Sequence, residues 1–131
     1  MEIPVELARI IINETSEQQI IVLREKHGQR TLPIVIGIVE IFAIDRRLKG
    51  IKAPRPMTHD LLAQVIGQLG GKLERIVIND LKDHTFYAKL HIKANGQYLK
   101  IDSRPSDAIA LGVAADTPIF IEDHVLDQAS G

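Results

Sequence analysis

The 131-residue sequence contains no cysteine and no tryptophan. The lack of cysteine excludes disulfides, thiolate zinc sites and cysteine nucleophiles. No uninterrupted apolar run approaches the ~20 residues that a membrane-spanning helix requires. The first residues, MEIPVELARIIINE, carry charges through their apolar run, unlike a signal peptide. These absences predict a cytoplasmic protein that does not enter a membrane.

The sequence also has little net charge, −1 at pH 7, which argues against a protein that coats nucleic acid. The charge is nevertheless uneven. The segment 45–56, DRRLKGIKAPRP, has one acid against five cations: Arg46, Arg47, Lys49, Lys52 and Arg55. This segment is either a ridge that contacts phosphates or a solvated helix end, where cations are favoured.

What the sequence does contain is a globular share of apolar residues, 45%, rich in isoleucine and valine. That composition favours a sheet over a helical bundle, and the length predicts one domain over residues 1–131. We predict an α+β fold of two three-stranded, mostly antiparallel meanders, each followed by a helix and packed as a single compact domain. The strands are predicted at 5–12, 19–24, 30–36, 73–80, 85–94, 97–102 and 117–121, and the helices at 39–48, 59–69, 105–115 and 122–128.

Two turns set the predicted registers. A two-residue turn at His27-Gly28 pairs Leu23 with Leu32, and Pro33 then belongs at an edge or a bulge. Asn95-Gly96 is the strongest hairpin signal in the chain. It separates an apolar face from a polar face that includes His91 and Tyr87, both expected to be solvated. The apolar face holds Leu90, Ile92, Leu99 and Ile101, and the polar face pairs Lys89 with Asp102.

No strong local catalytic motif is present, neither a phosphate-binding loop nor HExxH nor a nucleophile elbow. The candidates are dispersed: Glu40, His59, Asp60, Asp102, Arg104, Ser106 and Asp107. Each has a structural alternative. Asp102 is expected to form a cross-strand ion pair with Lys89. The carboxylates of Glu40, Asp60 and Asp107 are favoured at helix starts by the helix dipole. Thr58 suits an N-cap, and Pro105 suits a first helical position. Arg104 pairs with a carboxylate or reaches a phosphate, and a triad of Ser106 with His59 stays open.

Four segments together resemble the bifunctional nuclease domain family: LPIVIGIVE, RPMTHDLL, INDLKDHTFYAKL and IDSRPSDAIALGVAADTPIFIEDHVL. The resemblance covers nearly the whole chain in the family's order. It implies a compact α+β domain that self-associates, with plant relatives credited with cutting DNA and RNA. The chain departs from the family at 32–38, where members usually have a tryptophan followed by a proline and this chain has Val35 and Ile38.

The resemblance also implies a mechanism. An enzyme that cuts both DNA and RNA cannot use the ribose 2′-hydroxyl as its nucleophile, so it must activate water. The implied device is Mg²⁺ or Mn²⁺ held by carboxylates. The expected metal ligands are Asp102, Asp107, Glu40 and Asp60; the expected catalytic residues are Asp107, Asp102, Arg104 and His59; and the expected substrate-binding residues are Arg55, Arg46, Arg47 and Lys52.

Two alternatives to a nuclease stay open on the sequence. One is a non-catalytic binding or assembly module, which the aliphatic strands and the missing motif suit. The other is a hydrolase of a small phosphorylated substrate, which needs the same acids without the basic segment. The excess of aliphatic over aromatic residues predicts a homodimer or a higher even-numbered oligomer, because some of this surface would be buried between subunits.

Overall fold

The computed structural model describes residues 1–130, which form seven strands and four helices. The strands are β1 Glu2–Ile11, β2 Gln18–Glu25, β3 Thr31–Gly37, β4 Gly71–Lys82, β5 Thr85–Ala94, β6 Gln97–Ser103 and β7 Ile119–Glu122. The helices are α1 Ile38–Leu48, α2 Thr58–Gln68, α3 Pro105–Ala114 and α4 Asp123–Ser130. None of these helices is long and apolar enough to cross a membrane.

The seven strands form one sheet in the order β3-β2-β1-β7-β4-β5-β6. Each predicted meander is present, β1-β2-β3 and β4-β5-β6, and each is followed by a helix, so the α+β prediction is confirmed. The strand β7 joins the meanders. It pairs antiparallel with β1 and parallel with β4. The pairing of β7 with β4 is the one parallel pairing among the described strands. The C-terminal segment therefore closes the sheet between the two halves of the chain.

Both predicted registers are confirmed. Leu23 lies opposite Leu32, and Lys89 lies opposite Asp102. Asn95 and Gly96 adopt positive φ angles of 52° and 78°, as a two-residue turn with the sheet's twist requires. Pro33 lies on β3, which is an edge strand of the sheet, so its missing N–H breaks no central ladder.

The turn between β4 and β5 was not predicted. Asp83 and His84 form it, with positive φ angles of 50° and 65°. Aspartate and histidine tolerate this conformation better than most residues with a Cβ. Because the turn has only two residues, β4 extends to Lys82, two residues beyond its expected end.

One apolar core lies between the sheet and the helices. We call the helix-covered side of the sheet its inner face and the opposite side its outer face. Helix α3 is buried along most of its length. The side chain of Ile76 packs so close to Gly112 that a Cβ at position 112 would overlap it. Helix α2 differs, because none of its residues is fully buried.

Two local predictions were wrong. Thr58 is the first residue of α2 and not its N-cap; Met57 holds the N-cap position. His91 is buried on the outer face and not solvated, because Arg75 and Lys100 lie directly opposite it on the neighbouring strands. Burial lowers the pKa of His91, and the positive charge of Arg75 lowers it further.

Candidate functional site

The amino-terminal ends of three helices meet at one place. Glu40 is the third residue of α1, His59 the second of α2 and Asp107 the third of α3. None of the three N-cap residues makes a hydrogen bond to its helix through its side chain. The positive ends of three helix dipoles therefore converge, which favours negatively charged groups here.

Arg104, the N-cap residue of α3, links two of these acids. Its Nε donates to Asp107 Oδ2 at 2.9 Å, and its Nη2 donates to Glu40 Oε1 at 3.0 Å. Its Nη2 also lies 2.8 Å from Asp107 Oδ2. The hydrogen bond with Asp107 raises the pKa of Arg104, with a further contribution from Glu40. The Arg104 side chain is 68% exposed, so its two carboxylate partners position the guanidinium and burial does not.

His59 completes the cluster from the other side of Asp107. Its Nε2 lies 3.3 Å from Asp107 Oδ1, a position from which an Nε2–H donates to the carboxylate. The imidazole is 15% exposed. The two oxygens of Asp107 are thus divided between Arg104 and His59. With Nε2 bound to Asp107, Nδ1 of His59 is the nitrogen left to accept a proton.

Gly37 makes room for the carboxylate of Glu40. A Cβ at position 37 would lie 2.5 Å from Glu40 Oε2. No side chain can occupy that position unless the carboxylate moves away from the start of α1. This requirement was missed from the sequence, where the predicted strand ended at residue 36 and Gly37 received no role. The sequence signal for this requirement was a glycine directly before a helix whose third residue is Glu40.

A cleft of about 340 Å³ lies between α1, α2 and the loop that joins them. His59 and Asp60 line it together with all four expected substrate-binding residues, Arg46, Arg47, Lys52 and Arg55. None of these four cations has a carboxylate within 4 Å among residues 1–130. The structure therefore gathers the basic segment into one cleft, which we call the basic cleft, and His59 connects that cleft to Asp107.

A second cleft has a volume of about 540 Å³. Residues of β3, the turn residue His84 and Phe86 line it together with Arg104 and Ser106. Phe86 and His84 were not considered from the sequence, because the turn that places them was not predicted. The cluster of Glu40, His59, Arg104 and Asp107 thus borders two clefts, and we call it the acid–arginine cluster.

Three other candidates lie outside this cluster. Asp102 is 73% exposed and pairs with Lys89 at 3.6 Å on the outer face, because strand alternation turns it away from the helices. Asp60 lines the basic cleft but makes no ion pair among the described residues. Ser106 is buried, and the hydrogen bonds within residues 1–130 include none between Ser106 and His59.

The expected grouping of Asp102, Asp107, Glu40 and Asp60 around a metal is not formed. Within residues 1–130, no group of three or more histidine, aspartate or glutamate side chains is placed to hold a metal ion. Glu40 and Asp107 nevertheless supply the oxygen ligands that Mg²⁺ and Mn²⁺ prefer, and both face the same guanidinium. Mg²⁺ usually binds one or two carboxylates together with waters and substrate phosphates. Glu40 and Asp107 fit that mode, provided that the ion replaces Arg104 between them.

Comparison with known proteins gives the class of this fold and site. The family model of the bifunctional nuclease domain matches residues 21–131, so the chain belongs to the bifunctional nuclease domain family. An uncharacterized protein of Mycobacterium tuberculosis is 40% identical over 125 residues, which cover 95% of this chain and 74% of that protein.

Plant proteins in the comparison are more distant. Bifunctional nuclease 2 of Oryza sativa subsp. japonica is 28% identical over 114 residues, 84% of this chain and 35% of that protein. Bifunctional nuclease 1 of Oryza sativa subsp. indica is 21% identical over 118 residues, 87% of this chain and 36% of that protein. This chain therefore corresponds to about a third of each rice protein.

Proposed function

We propose that this protein is a nuclease that hydrolyses phosphodiester bonds of DNA and RNA. One observation carries the proposal: a histidine–aspartate pair with an attached arginine lies beside a cleft that holds four unpaired cations. Cations in a cleft bind phosphates, and the adjoining cluster provides a proton acceptor and a positive charge. The family and the rice relatives named as nucleases support the same function.

In the proposed reaction, Arg46, Arg47, Lys52 and Arg55 hold the phosphates of the strand in the basic cleft. His59, oriented by Asp107 through Nε2, accepts a proton at Nδ1 from the water whose oxygen bonds to phosphorus. The bond from phosphorus to the leaving sugar oxygen breaks, and that oxygen takes a proton from solvent. Arg104 stabilises the negative charge that grows on the phosphate oxygens during the attack. None of these three roles requires a ribose 2′-hydroxyl, so the same residues serve DNA and RNA.

A requirement for Mg²⁺ or Mn²⁺ is part of the proposal. Glu40 and Asp107 would hold the ion, which when bound would polarise the phosphate and acidify a water molecule. Arg104 would then contact the phosphate instead of the two carboxylates. The side chain has the exposure that such a movement requires.

The experiment is cleavage by the purified protein. We expect it to nick plasmid DNA and to degrade single-stranded RNA in Mg²⁺ or Mn²⁺, and we expect EDTA to stop both reactions. No cleavage with either metal would favour a non-catalytic binding or assembly module. Cleavage of small phosphodiesters alone would favour a hydrolase of small phosphorylated substrates.

We also propose that the chain forms a homodimer or a higher even-numbered oligomer. Exposed apolar side chains lie on α2 (Leu62 and Val65), at its C-cap residue Leu69, and on the inner face of β6 (Leu99 and Ile101). The open edge of β6 offers unpaired backbone groups beside them, which a second copy would satisfy. Light scattering that gives the monomer mass of 14.6 kDa at micromolar concentration would contradict this assembly. A cytoplasmic location stays a prediction.

A further inference from the structure

The outer face of β4, β5 and β6 carries rows of lysine, arginine, histidine and tyrosine side chains. Two rows cross the strands through directly opposed residues: Lys72, Lys93 and Tyr98 in the first, and Arg75, His91 and Lys100 in the second. Nζ of Lys93 lies 5.6 Å from the centre of the Tyr98 ring. Lys72 and Lys93 face each other although like charges in this position destabilise a sheet.

Four acids beside this face are paired with other cations. Arg75 binds Glu2 at 2.8 Å, Lys89 lies 3.6 Å from Asp102, and Lys82 lies 3.4 Å from Asp80. Glu122 lies 3.1 Å from the terminal amino group. By contrast, Lys72, Lys93 and Lys100 have no carboxylate within 4 Å among residues 1–130. The face therefore presents three exposed, unpaired positive charges.

Both tyrosines of the chain also lie on this face. Tyr98 is 66% exposed, and Tyr87 is exposed as well, with Nζ of Lys82 lying 5.8 Å from its ring centre. Tyr87 and Lys93, the residue opposite Tyr98, are six positions apart along β5. At ~3.4 Å per residue, the two rings are about 20 Å apart. Neither ring contributes to the core, although the chain has few aromatic residues to fill it.

We propose that this outer face binds single-stranded nucleic acid. Lys72, Lys93 and Lys100 would contact phosphates, and unpaired bases would stack on Tyr98 and Tyr87. Surfaces that combine unpaired cations with exposed aromatic rings suit single strands, because only unpaired bases offer their faces for stacking. The proposal goes beyond cleavage. It assigns a second binding surface on the side of the sheet opposite to the acid–arginine cluster, and it holds whether or not the cluster cuts.

Binding is measured by fluorescence anisotropy with a labelled 12-nucleotide oligo(U) or oligo(dT), in EDTA so that no strand is cut. We expect Tyr98→Leu to weaken binding on the order of tenfold, because leucine keeps bulk but cannot stack. Tyr98→Phe keeps the ring and serves as the matched control, with affinity close to that of the wild type. A double-stranded competitor of the same length should displace the probe less effectively than unlabelled oligo(U).

The lysines are tested through salt dependence. Lys93→Gln and Lys100→Gln should each reduce the slope of log affinity against log salt concentration by about 0.7. Lys26→Gln, an exposed lysine in the turn after β2, should leave the slope unchanged. Wild-type binding by Tyr98→Leu, or loss of binding only on charge reversal in the basic cleft, would overturn the proposal. Equal affinity for single-stranded and double-stranded probes would also overturn it. Absence of binding at low salt would overturn it as well, and the lysines would then be explained as charges that prevent aggregation at the open sheet edge.

Discussion

Two arginines of this protein each bridge carboxylates from different elements, and their surroundings differ. Arg30 donates to Glu25 at 2.6 Å, to Asp123 at 3.0 Å and to Asp127 at 2.9 Å, which ties α4 to the end of β2. Arg104 joins Glu40 of α1 to Asp107 of α3. By composition alone, the two clusters look alike.

The difference lies in what surrounds each arginine. The Arg30 side chain is 32% exposed and lines neither of the two clefts, and its partners neutralise it fully. Arg104 is more exposed, lines the second cleft, and shares Asp107 with His59, which lines the basic cleft. The basic cleft beside His59 holds four cations that have no carboxylate within 4 Å among residues 1–130, whereas three carboxylates surround Arg30. We infer that Arg30 with its three carboxylate partners, the Arg30 cluster, stabilises the fold. We infer that the acid–arginine cluster takes part in the proposed reaction.

The largest effect is expected at His59. We expect His59→Gln to reduce cleavage of DNA and RNA on the order of a hundredfold, because glutamine cannot accept the proton of the attacking water. His124 of α4 is exposed, and His124→Gln is the matched control with unchanged activity. The measurement is the initial rate of plasmid nicking. A wild-type rate for His59→Gln would remove this residue from the mechanism.

Charge reversal in the basic cleft should have a smaller and selective effect. Changing Arg46, Arg47, Lys52 and Arg55 to glutamate should lower polynucleotide cleavage on the order of tenfold or more, because the phosphate contacts are lost. Hydrolysis of bis(p-nitrophenyl) phosphate, which needs no such contacts, should be nearly unchanged. If both substrates are affected equally, the cleft is part of the catalytic machinery or of the fold and not a strand-binding surface.

The smallest effect on activity is expected at Arg30. Arg30→Gln should lower the melting temperature and leave cleavage unchanged, whereas Arg104→Gln should lower cleavage and leave the melting temperature nearly unchanged. The Arg30 hydrogen bond holds the pKa of Glu25 below its usual value.

This pKa shift gives the Arg30 cluster a pH dependence. A carboxyl group with a lowered pKa in the folded state stabilises the fold above its unfolded pKa, about 4.5, and that contribution is lost as pH falls through the folded value. Thermal melts between pH 6 and pH 3 should therefore show a steeper loss for the wild type than for Arg30→Gln. Parallel curves would mean that the pair contributes nothing to stability.

Much of the fold was predictable from turn residues, strand alternation and a proline at a helix start. The Asn95-Gly96 turn allows few backbone conformations, and the alternation of Leu90 and Ile92 with polar residues then permits one register. Pro105 fits the first position of a helix, and α3 begins there. The turn at Asp83-His84 was missed because neither residue is a glycine, although both adopt positive φ.

The candidate site was only partly predictable, because packing builds it. Arg104 and Asp107 are three residues apart at one helix start, so their contact follows from local geometry. Glu40 and His59 are 64 and 48 residues away from their partners, and only the helix packing brings them there. Asp102 is close in sequence to Arg104, yet strand alternation places it on the outer face with Lys89.

The most direct measurement compares one carboxylate from each cluster, Asp107→Asn and Glu25→Gln. Both substitutions keep the shape of the side chain and remove its charge. We predict that Asp107→Asn loses on the order of a hundredfold or more of DNA and RNA cleavage while remaining folded, as loss of a dominant electrostatic contribution implies. We predict that Glu25→Gln melts at a lower temperature and cleaves at the wild-type rate. Cleavage by Asp107→Asn at the wild-type rate, or equal loss in both variants, would contradict the assignment of the chemistry to the acid–arginine cluster.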